Sequence, residues 1–306
     1  MRAANIGRSL ALGVAITTVV VVVTFVARGG PVTSPERPAP DSRLVPAGVP
    51  IPLLEEDYGD SDMTPYAVSP PGGVIVQPGT VRVPVPKVPT GPRKVGIQVG
   101  HWKVDEAPDE LKRLAIQTGT TWRGINEVDV NLDIADRVAK NLRGRGIAVE
   151  IFPATVPAGY VADAFIALHA DGDGTGENSG FKLAHSARRG PFEDRLLQTV
   201  REEYAKATQM DYDATHISRS MTGYFIYNWS RYQHAVSPYT PGTILEMGYL
   251  SNDDDRGLLV EQPDVIAKGI ANGLLRFLNE TPRDQIFGKE LVVPQLPLRS
   301  PSPTAP

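Results

Sequence analysis

The sequence predicts an α/β domain: a mostly parallel, twisted sheet flanked by helices, set between proline-rich ends. Two observations carry this. Short apolar runs alternate along the chain with longer stretches whose apolar residues recur at helical spacing, the pattern of strands alternating with helices. The 28 prolines crowd into two regions of the 306-residue chain. That leaves a folded part of roughly 190 residues, enough to bury a sizeable core.

Taken in order, the chain opens with an apolar run over 10–27, preceded by Arg2 and Arg8. Its length of about 18 residues is near what a bilayer-spanning helix needs. Arg28-Gly29-Gly30-Pro31 follows, which lacks the small-residue cleavage pattern of a secretory signal. Residues 1–30 therefore read as an uncleaved, single-pass signal anchor. The charge bias puts the amino terminus in the cytoplasm and the rest of the chain outside the cytoplasmic membrane. Secretion after signal cleavage is the alternative. Residues 31–92 read as a Pro-rich linker: Pro35-Glu36-Arg37-Pro38-Ala39-Pro40 and Val83-Pro84-Val85-Pro86 favour extended polyproline-like chain. A small strand near 73–76 fits within it. The tail 281–306 has the same character and is expected to be disordered.

Between them, 93–280 reads as a single folded domain. Residues 94–99 alternate as a strand does and run into Gly100-His101. A helix is predicted over 127–142, with Leu132, Ala135, Val138, Ala139 and Leu142 on its inner face, ended by Gly144 and Gly146. Residues 147–152 suit a strand. The unbroken apolar run 164–168 suits a strand buried on both faces. Residues 181–184 and 242–245 are further strands; 194–207 and 264–278 are further helices.

Composition excludes several functions. The net charge is −4 and basic residues are interspersed with acidic ones, which argues against a nucleic-acid partner. There is no cysteine, so disulfides, thiolate metal sites and cysteine nucleophiles are all ruled out. Any metal centre must use His, Asp and Glu.

In parallel α/β sheets, functional residues gather at the carboxyl ends of strands. His101 follows Val99-Gly100, His169 follows Ile166-Ala167-Leu168, and Glu246 follows Ile244-Leu245; Glu127 opens a helix after Gly124-Ile125-Asn126. Two histidines with one glutamate is a known catalytic zinc set, and a further carboxylate serves beside it as general base. Each residue also has a plainer reading. His101 could cap a turn, and His169 could be a core histidine. Glu127 could simply favour the positive end of its helix. Glu246 is the hardest to bury without a partner.

Four segments, in order, resemble the zinc-dependent N-acetylmuramoyl-L-alanine amidase family, the type 3 catalytic domain of bacterial cell-wall amidases. Val95-Gly96-Ile97-Gln98-Val99-Gly100-His101 resembles the family's first-ligand strand. Gly124-Ile125-Asn126-Glu127-Val128-Asp129-Val130-Asn131-Leu132 resembles its glutamate-ligand segment. Ala167-Leu168-His169-Ala170-Asp171 resembles its Ser-x-His-Ala-Asn segment. Thr243-Ile244-Leu245-Glu246-Met247-Gly248-Tyr249-Leu250-Ser251-Asn252 resembles its Glu-x-Gly-Phe-Leu-Ser-Asn segment. The resemblance spans roughly residues 94 to 280. It implies that His101, Glu127 and His169 bind Zn2+. It implies that Glu246 is the catalytic general base, and that the substrate is peptidoglycan, cut between N-acetylmuramic acid and L-alanine.

The sequence departs from the family around the cleft. Trp102-Lys103-Val104 replaces the glycine-rich continuation after His101, the stretch 151–163 is short, and Asp171 stands where Asn is usual. These changes put substrate preference in question. They keep two alternatives open, a non-catalytic peptidoglycan-binding or regulatory module and a zinc peptidase acting on stem peptides. Asp171-Gly172-Asp173-Gly174 superficially resembles a calcium loop, but Lys182 occupies the position of the required glutamate. Asp253-Asp254-Asp255 reads as a helix start. Residues 211–241, rich in Tyr and Ser, are expected to border the cleft. Such an enzyme needs restraint, which a gating segment or an unidentified activator would supply.

Overall fold

The computed structural model describes residues 74–77, 80–186 and 190–294. The expected anchor over 1–30 lies outside them; among the described residues no helix is long and apolar enough to cross a membrane.

A short antiparallel hairpin, β1 (Val74–Gln77) and β2 (Thr80–Val83), precedes the main sheet. The first central strand is β3 (Lys94–Val99). Two short 3-10 helices and a second hairpin, β4 (Thr121–Trp122) and β5 (Ile125–Asn126), lead into α1 (Glu127–Arg143). β6 (Ala148–Phe152), β7 (Ala164–Asp171) and β8 (Lys182–Ala184) follow, then α2 (Glu193–Thr208) and the short α3 (Arg219–Thr222). β9 (Gly242–Tyr249), α4 (Asp253–Glu261), α5 (Pro263–Glu280), α6 (Arg283–Phe287) and β10 (Leu291–Pro294) complete the domain.

The central sheet has the order β6-β3-β7-β9-β8; only β8 runs antiparallel to its neighbour. Alternation along β7 divides the core in two. Ala164, Ile166, Leu168 and Ala170 join the larger cluster on the helical face. Phe165 and Ala167 point the other way. Both sides are buried, which is why the sequence shows a continuous apolar run rather than alternation. On the helical face α5 packs between α1 and α2. α1 buries Val130, Ile134, Ala135, Val138, Ala139 and Leu142 at helical spacing. The predicted Leu132 sits at the edge of that stripe, half-buried. Among the described residues the opposite face carries no long helix. Val156 and Tyr160, with Met221, Ile226, Tyr227 and Val236 from the irregular segment before β9, cover Phe165, Ala167 and Ile244.

Three expectations need correction. Both β7 and β9 run past their apolar stretches, so His169 and Glu246 lie within strands rather than after them. The tail expected to be disordered from 281 instead carries α6 and β10. The linker expected to end at 92 contains β2, which pairs with β10 from Thr80↔Pro294 to Val83↔Leu291. The physical reason is a buried charge. Asp163 is fully buried; it accepts from Lys94 N at 2.7 Å and from Arg283 Nε and Nη2 at 2.8 and 2.6 Å. Arg283 also donates to the carbonyls of Pro89, Gly91 and Pro92. This clasp holds the proline-rich approach to β3 against the chain after α5.

The acidic run does start a helix. The Asn252 side chain caps α4 by accepting from Asp254 N and Asp255 N, and three aspartates fill its first turn.

Candidate active site

The chain leaves β3 toward β6 on one side and leaves β7 toward β9 on the other. That divergence opens a crevice at the carboxyl ends of β3 and β7. The four predicted residues converge on it.

His101 lies just past β3, held in the left-handed region at φ 62°. Its Nδ1 is 2.7 Å from Gln117 O. A carbonyl can only accept, so Nδ1 carries the proton and Nε2 is left bare, 3.4 Å from Glu127 Oε1. Glu127 is delivered by the β4–β5 hairpin. Arg123 and Gly124 both have positive φ (48° and 80°), the two-residue turn that suits strand twist, and the chain passes directly into α1. Glu127 Oε2 accepts from Thr120 N at 2.9 Å, and Oε1 accepts from Asn131 Nδ2 and Ala170 N, each at 3.2 Å. His169 Nδ1 stands 3.1 Å from the same Oε1.

Two glycines make this packing fit. A Cβ on Gly100 would fall 2.4 Å from the His169 ring. Gly119, at φ +81°, would crowd Glu127 Oε2 at 2.9 Å and the His101 ring at 3.1 Å. Gly100 thus belongs to the Gly-His pair because the second histidine occupies the space of its side chain.

Charges in the cluster are strongly coupled. Burial alone would raise the Glu127 carboxyl, but the hydrogen bond and charge of His169, with His101 and Thr120 N, hold it down at about 2. Burial lowers His101, more than Glu127 restores. His169 is raised: burial opposes its charge, but the bond to Glu127 and the charges of Glu246, Glu127 and Asp171 outweigh that.

Glu246 completes the site by register. His169 on β7 pairs with Glu246 on β9, which pairs with Lys182 on β8, so the three share one sheet face. The β9 pairing then slips by a residue, Asp171 opposing Tyr249, a bulge of the kind found beside active sites. Glu246 Oε2 is shut off from solvent and has no hydrogen-bond partner. Burial pushes this carboxyl up to about 8; Glu127 and Asp171 add to the rise, while His169 and Lys182 oppose it. Lys182 is itself buried, paired with Asp171 and 3.1 Å from Tyr249 Oη.

The four residues singled out from the sequence come together here; the side chains around them were not singled out. Lys182 entered only as a misfit to a calcium loop. Tyr224, whose hydroxyl lies 2.9 Å from His169 Nε2, was hidden in the 211–241 segment expected to border the cleft. Trp102 is half-buried, packed at the edge of the larger core cluster. A cavity of about 500 Å3 opens at the other end of β9, beside Gly242 and Glu193. One of about 310 Å3 lies between the β4–β5 turn at Trp122 and Arg123 and the start of α4.

The donor atoms His101 Nε2, His169 Nδ1 and a Glu127 oxygen lie within 4.8 Å of one another. Two imidazole nitrogens and a carboxylate oxygen facing one another fit a single divalent cation such as zinc.

An α/β sheet that gathers two imidazoles and two carboxylates at the ends of its strands, one carboxylate unpaired, is the framework of a hydrolytic enzyme. The chain belongs to the N-acetylmuramoyl-L-alanine amidase family, whose profile matches residues 95–276. It is accordingly a peptidoglycan amidase. A search of curated proteins finds no match. Among solved structures it is similar to the catalytic domain of CwlV, an N-acetylmuramoyl-L-alanine amidase from Bacillus (Paenibacillus) polymyxa var. colistinus, at 20% identity over 61% of this chain and 98% of that one, TM-score 0.42. It is also similar to AmiC2 of Nostoc punctiforme (20% identity, 62% and 99% covered, TM-score 0.43). Ami1 from Mycobacterium smegmatis gives 17% identity, 62% and 98% coverage and a TM-score of 0.45.

Proposed function

We propose that the amidase reaction of this chain is zinc-dependent, with His101, Glu127 and His169 holding the ion and Glu246 acting as general base. The observation that carries this reading is the cluster of three donor atoms within 4.8 Å, with Glu246, its Oε2 unpartnered, directly opposite His169 on the next strand. When bound, a dication supplies polarisation of the amide carbonyl, acidifies the attacking water and favours the ionised form of Glu246.

The chain's own residues do the rest. His101 turns a bare nitrogen inward because its other nitrogen donates to Gln117 O. Asn131, Thr120 N and Ala170 N hold Glu127 ionised and oriented. Glu246 takes a proton from water as it attacks the lactyl carbonyl. It then delivers that proton to the amine nitrogen of L-alanine as the bond breaks. Residues 10–27, with Arg2 and Arg8, support a single-pass anchor that holds this domain on the extracytoplasmic side.

The test is mass spectrometry of soluble products from the zinc-loaded, full-length chain acting on purified peptidoglycan, beside Glu246→Gln. Free stem peptides beginning with L-alanine, lost in the variant by 100-fold or more, are expected on the scale of general-base catalysis, about 10²–10⁴. Products cut inside the stem, or equal activity in the variant, would overturn the reading.

A further inference from the structure

We infer that Tyr224, oriented by Gln98, is a positioning residue that fixes the proton of His169 on Nε2 and so keeps Nδ1 directed at the donor cluster. The inference rests on the metal-site reading above and adds residues that no part of it uses.

The argument runs through the direction of each hydrogen bond. Gln98 is fully buried on β3, on the same sheet face as His169. Its Nε2 lies 3.3 Å from Val99 O and 3.4 Å from Ala154 O. Both neighbours are carbonyls, so the amide must present its nitrogen to them; the flipped amide would set three acceptors together. Oε1 is then committed to the other side, where Tyr224 Oη lies 3.1 Å away. Tyr224 has one hydroxyl hydrogen, and Gln98 Oε1 can only accept it. Toward His169 Nε2, at 2.9 Å, the same hydroxyl can therefore act only as acceptor, so Nε2 carries a hydrogen. Nε2 is thus committed to its hydrogen, which leaves Nδ1 as the nitrogen that can be bared to an ion; without one, Nδ1 donates to Glu127 Oε1 at 3.1 Å. Burial raises the Tyr224 phenol well beyond the working range of pH, so the hydroxyl keeps its hydrogen throughout. The Tyr224 ring meets the imidazole edge-on at 5.5 Å, which limits its rotation.

This gives the two histidines matching supports built from different material. His101 is fixed by a backbone carbonyl, Gln117 O. His169 is fixed by a side-chain relay from 55 residues later in the chain. Partners of this kind typically change metal affinity about 10–100-fold when removed.

The experiment compares wild type, Tyr224→Phe and Tyr227→Phe in the full-length chain. Tyr227 lies on the same segment and donates a buried hydroxyl to Thr243 O at 2.5 Å, so its variant controls for the loss of a structural hydrogen bond. Zinc affinity is read by competition with a chromophoric chelator. The Nε2 hydrogen of His169 is read from imidazole 1H–15N spectra of metal-free and zinc-loaded protein. The expected result is a hydrogen-bonded, exchange-protected Nε2–H in wild type and in Tyr227→Phe. In Tyr224→Phe we expect that protection to be lost and zinc binding to weaken about 10-fold or more. An unchanged Nε2–H signal and affinity within about twofold in Tyr224→Phe would overturn the inference. If wild type binds no zinc, the metal reading falls, and the 15N signature still decides whether Tyr224 sets the ring.

Discussion

Replacing Glu246 by Gln should do more than stop catalysis: in the metal-free protein it should change how stability depends on pH. The Glu246 carboxyl moves from an ordinary value of 4.5 up to about 8 in the folded state, chiefly through burial. Between those values the folded state holds a proton that the unfolded chain releases. The stability this group contributes is therefore fully present below about pH 4.5 and is lost as pH rises through about 8, at about 1.4 kcal/mol per pH unit. At pH 7 the loss amounts to about 3 kcal/mol, a large share of the roughly 5–15 kcal/mol typical of a domain. Glutamine is neutral throughout and escapes it. Glu127, held at about 2, contributes with the opposite sign, stabilising above its unfolded value and failing only as pH falls through about 2, but it is present in both proteins and cancels in the comparison. Urea denaturation of metal-free wild type and Glu246→Gln should therefore give nearly equal stabilities at pH 4.5. The gap should open to about 3 kcal/mol in favour of the variant at pH 7. A gap that stays flat from pH 4.5 to 8 would refute the claim that this carboxylate is desolvated and unpaired.

Other expectations follow from the same contacts. Gly100→Ala puts a methyl group 2.4 Å from the His169 ring; overpacking of this kind should remove about 1–3 kcal/mol in thermal melts and weaken zinc binding. Zinc must displace a proton that Glu127 helps to hold on His169, so calorimetric zinc affinity should rise with pH through the titration of that ring. Chelation should abolish turnover, and zinc should restore it where magnesium does not, because two of the three donors are nitrogens. Asp163→Ala leaves Arg283 without its buried carboxylate and should lower stability by about 3–5 kcal/mol in urea melts.

What the sequence shows and what it hides divide along physical lines. His101, Glu127, His169 and Glu246 are legible because each follows a strand or turn whose pattern is local: a β-run into Gly-His, a Gly-Ile-Asn turn into a helix, apolar runs broken by one ionisable residue. The ends of β7 and β9 are less so, since a strand that carries polar residues into a crevice loses the apolar run by which it is recognised. Tyr224 and Gln98 touch across 126 positions, through a segment with little regular structure, and no periodicity reports such a contact. The strands at the domain's margins were masked for a different reason. β2 finds its partner β10 about two hundred residues away, and neighbouring prolines make both look like extended linker.

The pairing of β2 with β10 also determines how the domain meets mechanical load. Tension applied ahead of the domain enters β2 at Thr80, once β1 has peeled away. β10 is secured to the body at Leu291, opposite Val83, the far end of the ladder. The bonds between the two strands are then strained in parallel rather than unzipped singly. Behind them, Arg283 grips three carbonyls of the 84–92 approach while bonded to buried Asp163. A pull from that side must break this shear joint and clasp before any tension reaches β3 and the His101 loop beyond it.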